Sequence, residues 1–211
     1  MAFTDQDIQV MDSIIKRYQR SRSAIMPLLH YVQSRDGFIT NEGIELIANK
    51  LDLATAEVSA VSTFYTQYKR KPVGEYHVGV CTNTLCAVMG GDAIFAGLKD
   101  HLGLENDGVT EDGKVSLEHI ECNAACDYAP VVMANWEFYD NQTVQSAKDL
   151  VDAMREGNPP APTRGPNSLP TWKENSAVLA GLSDGRAAEG VQAGEASLLG
   201  LKLSKNQDGA K

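Results

Sequence analysis

All four cysteines of this 211-residue chain fall in one stretch, as Cys81-Thr-Asn-Thr-Leu-Cys86 and Cys122-Asn-Ala-Ala-Cys126. Two close pairs separated by a long segment constrain the fold, because both must reach one place to act together. Each short loop can present two sulfurs to one metal, and the whole has the form of a four-thiolate site. The first residues, Met1-Ala-Phe-Thr-Asp-Gln-Asp, show no basic region leading into an apolar run, which argues against a secretory signal. No apolar run approaches the length that crosses a bilayer. The expectation is a cytoplasmic chain, in which paired thiols are ligands or redox groups rather than structural disulfides.

Four thiolates fill one tetrahedron or the two irons of a [2Fe–2S] cluster. Structural zinc usually takes a C-x-x-C knuckle, whereas the gaps here are four and three residues, which suits a looser cage around two irons. The C-x4-C element occurs in plant-type ferredoxins, but the C-x2-C that should follow is absent. A Rieske centre needs histidine at two of these positions. A thioredoxin-type dithiol wants C-x-x-C at a helix start. His119 lies close to Cys122 and reads as a strand surface residue. Spacing alone favours iron–sulfur and leaves a zinc-stabilised docking module as the alternative.

The architecture expected around these pairs is α+β. Apolar periodicity predicts helices over 4–18, with Ile8, Met11, Ile15 and Tyr18 inward, and over 24–34. Two more follow, one capped by Thr40 and one over 54–65, giving an N-terminal four-helix bundle in residues 1–72. His30 reads as a packed histidine, and the Lys16, Arg17, Arg20 and Arg22 cluster as a solvated helix end. From Pro72 the period changes. Residues 75–80 alternate as a strand that ends at Cys81, and Thr84 caps a helix running to Leu102. Gly90-Gly91 marks a kink or a close approach within it. Residues 103–114 read as a loop, 115–120 as a strand delivering Cys122, and 131–134 with 137–139 as a hairpin. Ser146 opens a last helix in a capping-box-like run. This order is that of a thioredoxin-like α/β domain over 73–157, with both cysteine pairs leaving strand ends. Five prolines between 159 and 170 break the pattern, so residues 158–211 form an irregular tail. It is expected to be disordered or to lie along a partner, anchored by Trp172.

Charge narrows the partners. Residues 73–157 hold fifteen acidic against four basic side chains, a net −11, while 1–72 and 158–211 each sum to +1. A phosphate backbone is repelled by such a surface, so nucleic acid is excluded as a partner. A basic patch on another protein fits better. The acidic side chains also favour the oxidised, less negative form of a cluster. No phosphate-binding glycine loop or nucleophilic triad is visible, so the chain holds no complete active site alone.

Thr63-Phe-Tyr65, Pro72-Val-Gly74, Val80-Cys-Thr-Asn-Thr84, Glu121-Cys122, Cys126 and Ala129-Pro130 together resemble the 24-kDa-type [2Fe–2S] subunit (the E subunit) of NADH–quinone oxidoreductase, respiratory complex I. The resemblance spans about residues 5–157. It implies one [2Fe–2S] cluster held by Cys81, Cys86, Cys122 and Cys126. It also implies a partner flavoprotein subunit that binds FMN and NADH, other peripheral-arm subunits, and a place on the inner face of the membrane held only through the complex (the matrix side if mitochondrial). The cluster would exchange a single electron with FMN, off the main chain of centres leading to quinone. Related subunits serve NAD-reducing hydrogenases and NAD-dependent formate dehydrogenases, which the same motifs fit. Two positions depart from the family pattern: Leu85 stands where proline is frequent, and Asn123-Ala124 where Leu-Gly is common. Neither removes a ligand.

Overall fold

The structure is a computed structural model that describes residues 2–190, 193 and 195–208. Contacts within it divide the chain into two compact units. One comprises Met1–His77, Asp107–Leu117 and Pro170–Asp184, and the other Val78–Asn106, Glu118–Leu169 and Gly185–Lys211. Of the stretch 158–211, residues 191, 192, 194 and 209–211 lie outside the described residues.

The first unit is mainly helical. Helix α1 (Asp5–Ile15) opens on Thr4, whose side chain accepts from Asp7 N at 3.2 Å while the Asp7 carboxylate takes Thr4 N at 2.7 Å. Its buried residues are Met11 and Ile14. The stripe expected from periodicity is 8, 11, 15 and 18, but the helix stops at Ile15 and Tyr18 is exposed. Helix α2 (Ile25–Asp36) follows a 3-10 turn (Ser21–Ala24). Pro27 falls in its first turn, where its missing N–H leaves no helical bond unmade. Thr40 caps α3 (Asn41–Leu51) through Gly43 N, and α4 (Thr55–Phe64) follows. Leu28, Leu29, Val32, Ile44, Ile47, Leu51 and Val58 join Met11 and Ile14 in one buried cluster.

The proline-rich stretch differs from expectation beyond Pro170. Residues Trp172–Leu179 form a helix (numbered α8 below, in chain order) that packs on α2 of the same unit. Trp172 is 2% exposed, and its indole Nε1 donates to the Gly37 carbonyl at 2.7 Å. Its backbone N donates to the Glu75 carbonyl at 2.8 Å. The tryptophan offered by the sequence as an anchor for a partner is an anchor within the chain.

Strands β1 (Tyr76–Cys81), β2 (Gly108–Val109), β3 (Val115–Ile120), β4 (Val132–Ala134) and β5 (Glu137–Tyr139) lie in one sheet, ordered β2-β3-β1-β4-β5. The strand β2 falls in the segment expected as loop and pairs antiparallel with β3, Gly108 opposite Leu117. Two residues are too few for a period-2 signal. In the second unit β4 pairs antiparallel with β1, Val80 opposite Val132, and with β5, Ala134 opposite Glu137. Alternation puts Gly79, Cys81 and Met133 on one face, and Val78, Val80, Val132 and Ala134 on the other.

The expected single helix over 84–102 is two: α5 (Thr84–Val88) and α6 (Gly91–Leu102). Gly90, at φ +113°, makes the break. The last helix of the sheet region, α7 (Val144–Arg155), starts earlier than Ser146. Thr143 caps it, and Ser146 Oγ accepts from Thr143 N at 2.9 Å. Helix α7 packs on α6 and buries Ala147, Leu150, Val151 and Met154. Helix α8 (Trp172–Leu179) and then α9 (Glu195–Asp208) complete the described elements. Among the described residues no helix is long and apolar enough to cross a membrane.

Candidate metal centre

Local chain geometry delivers the four thiols in two ways. Cys81 is the last residue of β1, and Cys86 lies on α5 directly after the turn that leaves it; both are buried. Cys122 follows the end of β3, and Cys126 opens a 3-10 turn (Cys126–Tyr128); both are exposed. All four line one pocket, walled by Asn123, Ala125 and Val131. The centre therefore has an inner, buried pair and an outer pair open to the surface.

The outer sulfurs are 3.5 Å apart. The inner pair is fixed by the backbone: Cys81 N donates to the Val131 carbonyl at 3.2 Å, tying β1 to the start of β4. Asn83 links the two cysteine loops. Its amide Nδ2 donates to the Ile120 carbonyl at 2.9 Å and reaches Cys81 Sγ at 3.8 Å. Gly91 admits the first turn of α6 against this loop. A Cβ there would come within 2.9 Å of the Cys86 carbonyl oxygen and closer still to that of Cys81.

Behind the inner pair the wall is apolar. Cys81, Cys86, Ile120, Ala125, Ala129, Val131 and Met133 form one buried cluster, with Trp136 and Phe138 packed against it. Burial pushes the Cys86 thiol up to about 11, and the neighbouring Cys81 adds to this. Cys126 is raised chiefly by its hydrogen bond with Cys122. Thiols so held are protonated at neutral pH, and a cation entering between them displaces those protons.

The donor set is all sulfur. His119 is exposed on β3, its ring 6.1 Å from that of Phe95, and does not line the pocket. Among the described residues no three His, Cys, Asp or Glu side chains are grouped as a metal-ion site. The four thiols share a pocket as two pairs instead, an arrangement suited to two bridged irons, each of which needs only its own pair. Of the two departures from the family pattern, Leu85 is 44% exposed on α5, and Ala124 takes a left-handed backbone at φ +56°. The Asn83 amide and the Val131 carbonyl carry no sequence signal of their own.

Residues 11–155 match the thioredoxin-like [2Fe–2S] ferredoxin family, and the chain belongs to it. Its cofactor is one [2Fe–2S] cluster, which sets aside the zinc alternative left open by spacing. Over 196 residues the chain is 58% identical to the NADH-quinone oxidoreductase E subunit of Mycobacterium tuberculosis (strain H37Rv), covering 92% of this chain and 77% of that one. It is 38% identical over 157 residues to the protein of the same name from Rickettsia bellii, covering 73% of this chain and 94% of the relative. Among solved structures, the NAD+-reducing [NiFe]-hydrogenase in the air-oxidized state is similar at TM-score 0.57 and 17% identity. That match spans 67% of this chain and 25% of the hydrogenase chain, and it bears on the fold alone.

Proposed function

We propose that this chain is the electron-transfer subunit of the NADH-oxidising module of an NADH–quinone oxidoreductase, with Cys81, Cys86, Cys122 and Cys126 as the ligands of its cluster. The observation that carries the reading is the meeting of both cysteine pairs in one pocket. When bound, a [2Fe–2S] cluster accepts and returns one electron. Cys81 and Cys86 hold its inner side against the apolar wall, and the Asn83 amide offsets negative charge on the Cys81 sulfur. Cys122 and Cys126 hold the outer side, where a redox partner can approach. That partner is a flavoprotein subunit binding FMN and NADH, with which single electrons are exchanged. In this reading residues 73–157 house the centre. The four-helix bundle of 1–72 docks to other peripheral-arm subunits, and the membrane is reached only through them.

The equivalent place in an NAD-reducing hydrogenase or an NAD-dependent formate dehydrogenase is the second reading, since a cluster domain of this fold would serve in either; the hydrogenase chain shares the fold. Identity over 92% of the chain with an NADH-quinone oxidoreductase protein, including residues beyond 157, supports the first. Two experiments test the proposal. Anaerobic preparations should contain about two irons and two acid-labile sulfides per chain, with a chromophore that bleaches on reduction. Cys81→Ala and Cys122→Ala should each lose both; iron and colour unchanged in either variant would remove that ligand from the set. Affinity purification from the native host should bring down the flavoprotein with quinone-reductase subunits, whereas hydrogenase or formate dehydrogenase subunits would favour the second reading.

A further inference from the structure

The chain past α7 returns along β5. Thr163 N donates to the Phe138 carbonyl at 2.8 Å, its Oγ accepts from Asp140 N at 3.1 Å, and Phe138 and Arg164 form an antiparallel bridge. This sets the Arg164 guanidinium among one carboxylate and two rings. Nε donates to Asp140 Oδ2 at 2.9 Å and Nη2 to Oδ1 at 2.7 Å. Its Cζ stands 4.4 Å from the Phe138 ring centroid and 5.3 Å from that of Tyr128. The Arg164 and Asp140 side chains are 17% and 7% exposed, so the pair is well shielded from solvent. A planar fork both bidentate and stacked is a geometry lysine cannot reproduce.

Tyr128 ends the 3-10 turn that Cys126 begins. Its carbonyl accepts from Asn141 N at 2.8 Å, and the next carbonyl but one, that of Pro130, accepts from Gln142 N at 2.9 Å. The exposed thiols thus ride on a loop whose downstream end is fastened to the 138–142 segment, with Arg164 clamping the Tyr128 ring. Upstream, Asn123 Nδ2 donates to the nearby Glu121 carbonyl at 3.1 Å, and Asn83 Nδ2 to the Ile120 carbonyl at 2.9 Å. Arg164 lies in the segment that follows the 11–155 match.

We propose that Arg164 is a positioning residue for the outer half of the metal centre. By holding Tyr128 it keeps the Cys122–Cys126 loop closed and slows loss of the bound cluster. The inference rests on the four-cysteine assignment.

The test uses the full-length chain, wild type and variant, purified anaerobically. Iron release to a ferrous chelator is timed, and the reduced protein's electron paramagnetic resonance spectrum is recorded. Arg164→Ala should release iron roughly tenfold faster or more, the scale seen when a group supporting a metal ligand is removed. Its resonance should broaden or shift while far-ultraviolet circular dichroism stays that of wild type. Arg164→Lys should release iron nearly as fast as the alanine variant. Wild-type release and spectrum in Arg164→Ala would overturn the inference, as would full rescue by Arg164→Lys. Should Arg164→Ala fail to fold, Asp140→Asn takes its place: it removes the carboxylate that anchors the guanidinium over Tyr128, so loosens the hold on that ring, and should release iron faster than wild type. An unchanged rate there overturns the inference equally. Wild-type protein without iron would instead refute the cysteine assignment itself.

Discussion

Ala124, between Cys122 and Cys126, holds a backbone at φ +56°. For an alanine this left-handed conformation costs roughly 1–2 kcal/mol, because Cβ crowds the following carbonyl. Glycine removes that cost but gives back roughly 0.5–1 kcal/mol through the freedom it adds to the unfolded chain. The strain is the larger quantity, so Ala124→Gly should stabilise the protein by roughly 0.5–1 kcal/mol in urea unfolding. A destabilised variant would mean the loop does not keep this conformation in solution. His30 supplies the pH-dependent counterpart. It is 4% exposed, its ring 4.8 Å from that of Tyr68, and burial pushes its pKa down to about 4. The fold holds it neutral while the unfolded chain protonates it near 6.5. Its contribution to stability is therefore intact above about 6.5 and is lost as pH falls toward 4, on the order of 3 kcal/mol in all. Histidine-edited NMR should show the His30 ring staying neutral well below pH 6, and His30→Phe should flatten that part of the stability–pH curve. A ring titrating near 6.5 would contradict the buried placement.

Element by element, what the sequence reveals depends on length and on punctuation. Helices α3 and α4 stand within a residue or two of their periodic stretches because long apolar repeats and a Thr40 cap mark them. Strand β2 has only Gly108 and Val109, and no pattern distinguishes two residues from a loop. Helix α8 is hidden by composition: prolines up to Pro170 suggest an irregular tail, yet they end just before the helix begins. The start signal is in the sequence, since Thr171-Trp-Lys-Glu174 is a capping box, with Thr171 N donating to Glu174 Oε2 at 2.8 Å. What no pattern shows is that Trp172 finds the Gly37 carbonyl, 135 residues away. A helix of eight residues has little stability of its own, so its packing must hold it in place. Trp172→Ala removes a fully buried ring and leaves a carbonyl without its donor, and should cost about 3–5 kcal/mol. Thermal unfolding of the variant tests this; a loss below about 1 kcal/mol would show that the ring is not packed as described.

For the molecule as a whole, the centre is legible in the sequence and its supports are not. Cysteines announce themselves by type and spacing, whereas Asn83 and Arg164 are ordinary residues whose roles exist only once Ile120, Asp140 and Tyr128 are brought beside them. Charge is a further property readable in full from the sequence, and it bears on how the proposed complex assembles. The stretch 73–157 has a net charge of −11, and Glu121 and Asp127, both exposed, flank the outer cysteines. A surface of one sign steers an oppositely charged partner and raises its association rate by roughly 10- to 1,000-fold at low ionic strength. Salt removes that gain: the Debye length falls from about 30 Å at 0.01 M to about 3 Å at 1 M. Association with the isolated flavoprotein subunit, followed by stopped flow, should therefore slow at least roughly tenfold across this range. The dissociation rate should change far less, because contacts at short range are screened weakly. Glu121→Gln combined with Asp127→Asn should lower the low-salt rate and make the salt dependence shallower. An association rate indifferent to salt would mean that the acidic face serves solubility alone, and that docking is driven by apolar contact such as the exposed Leu85, Val88 and Met89 of the α5 region offer.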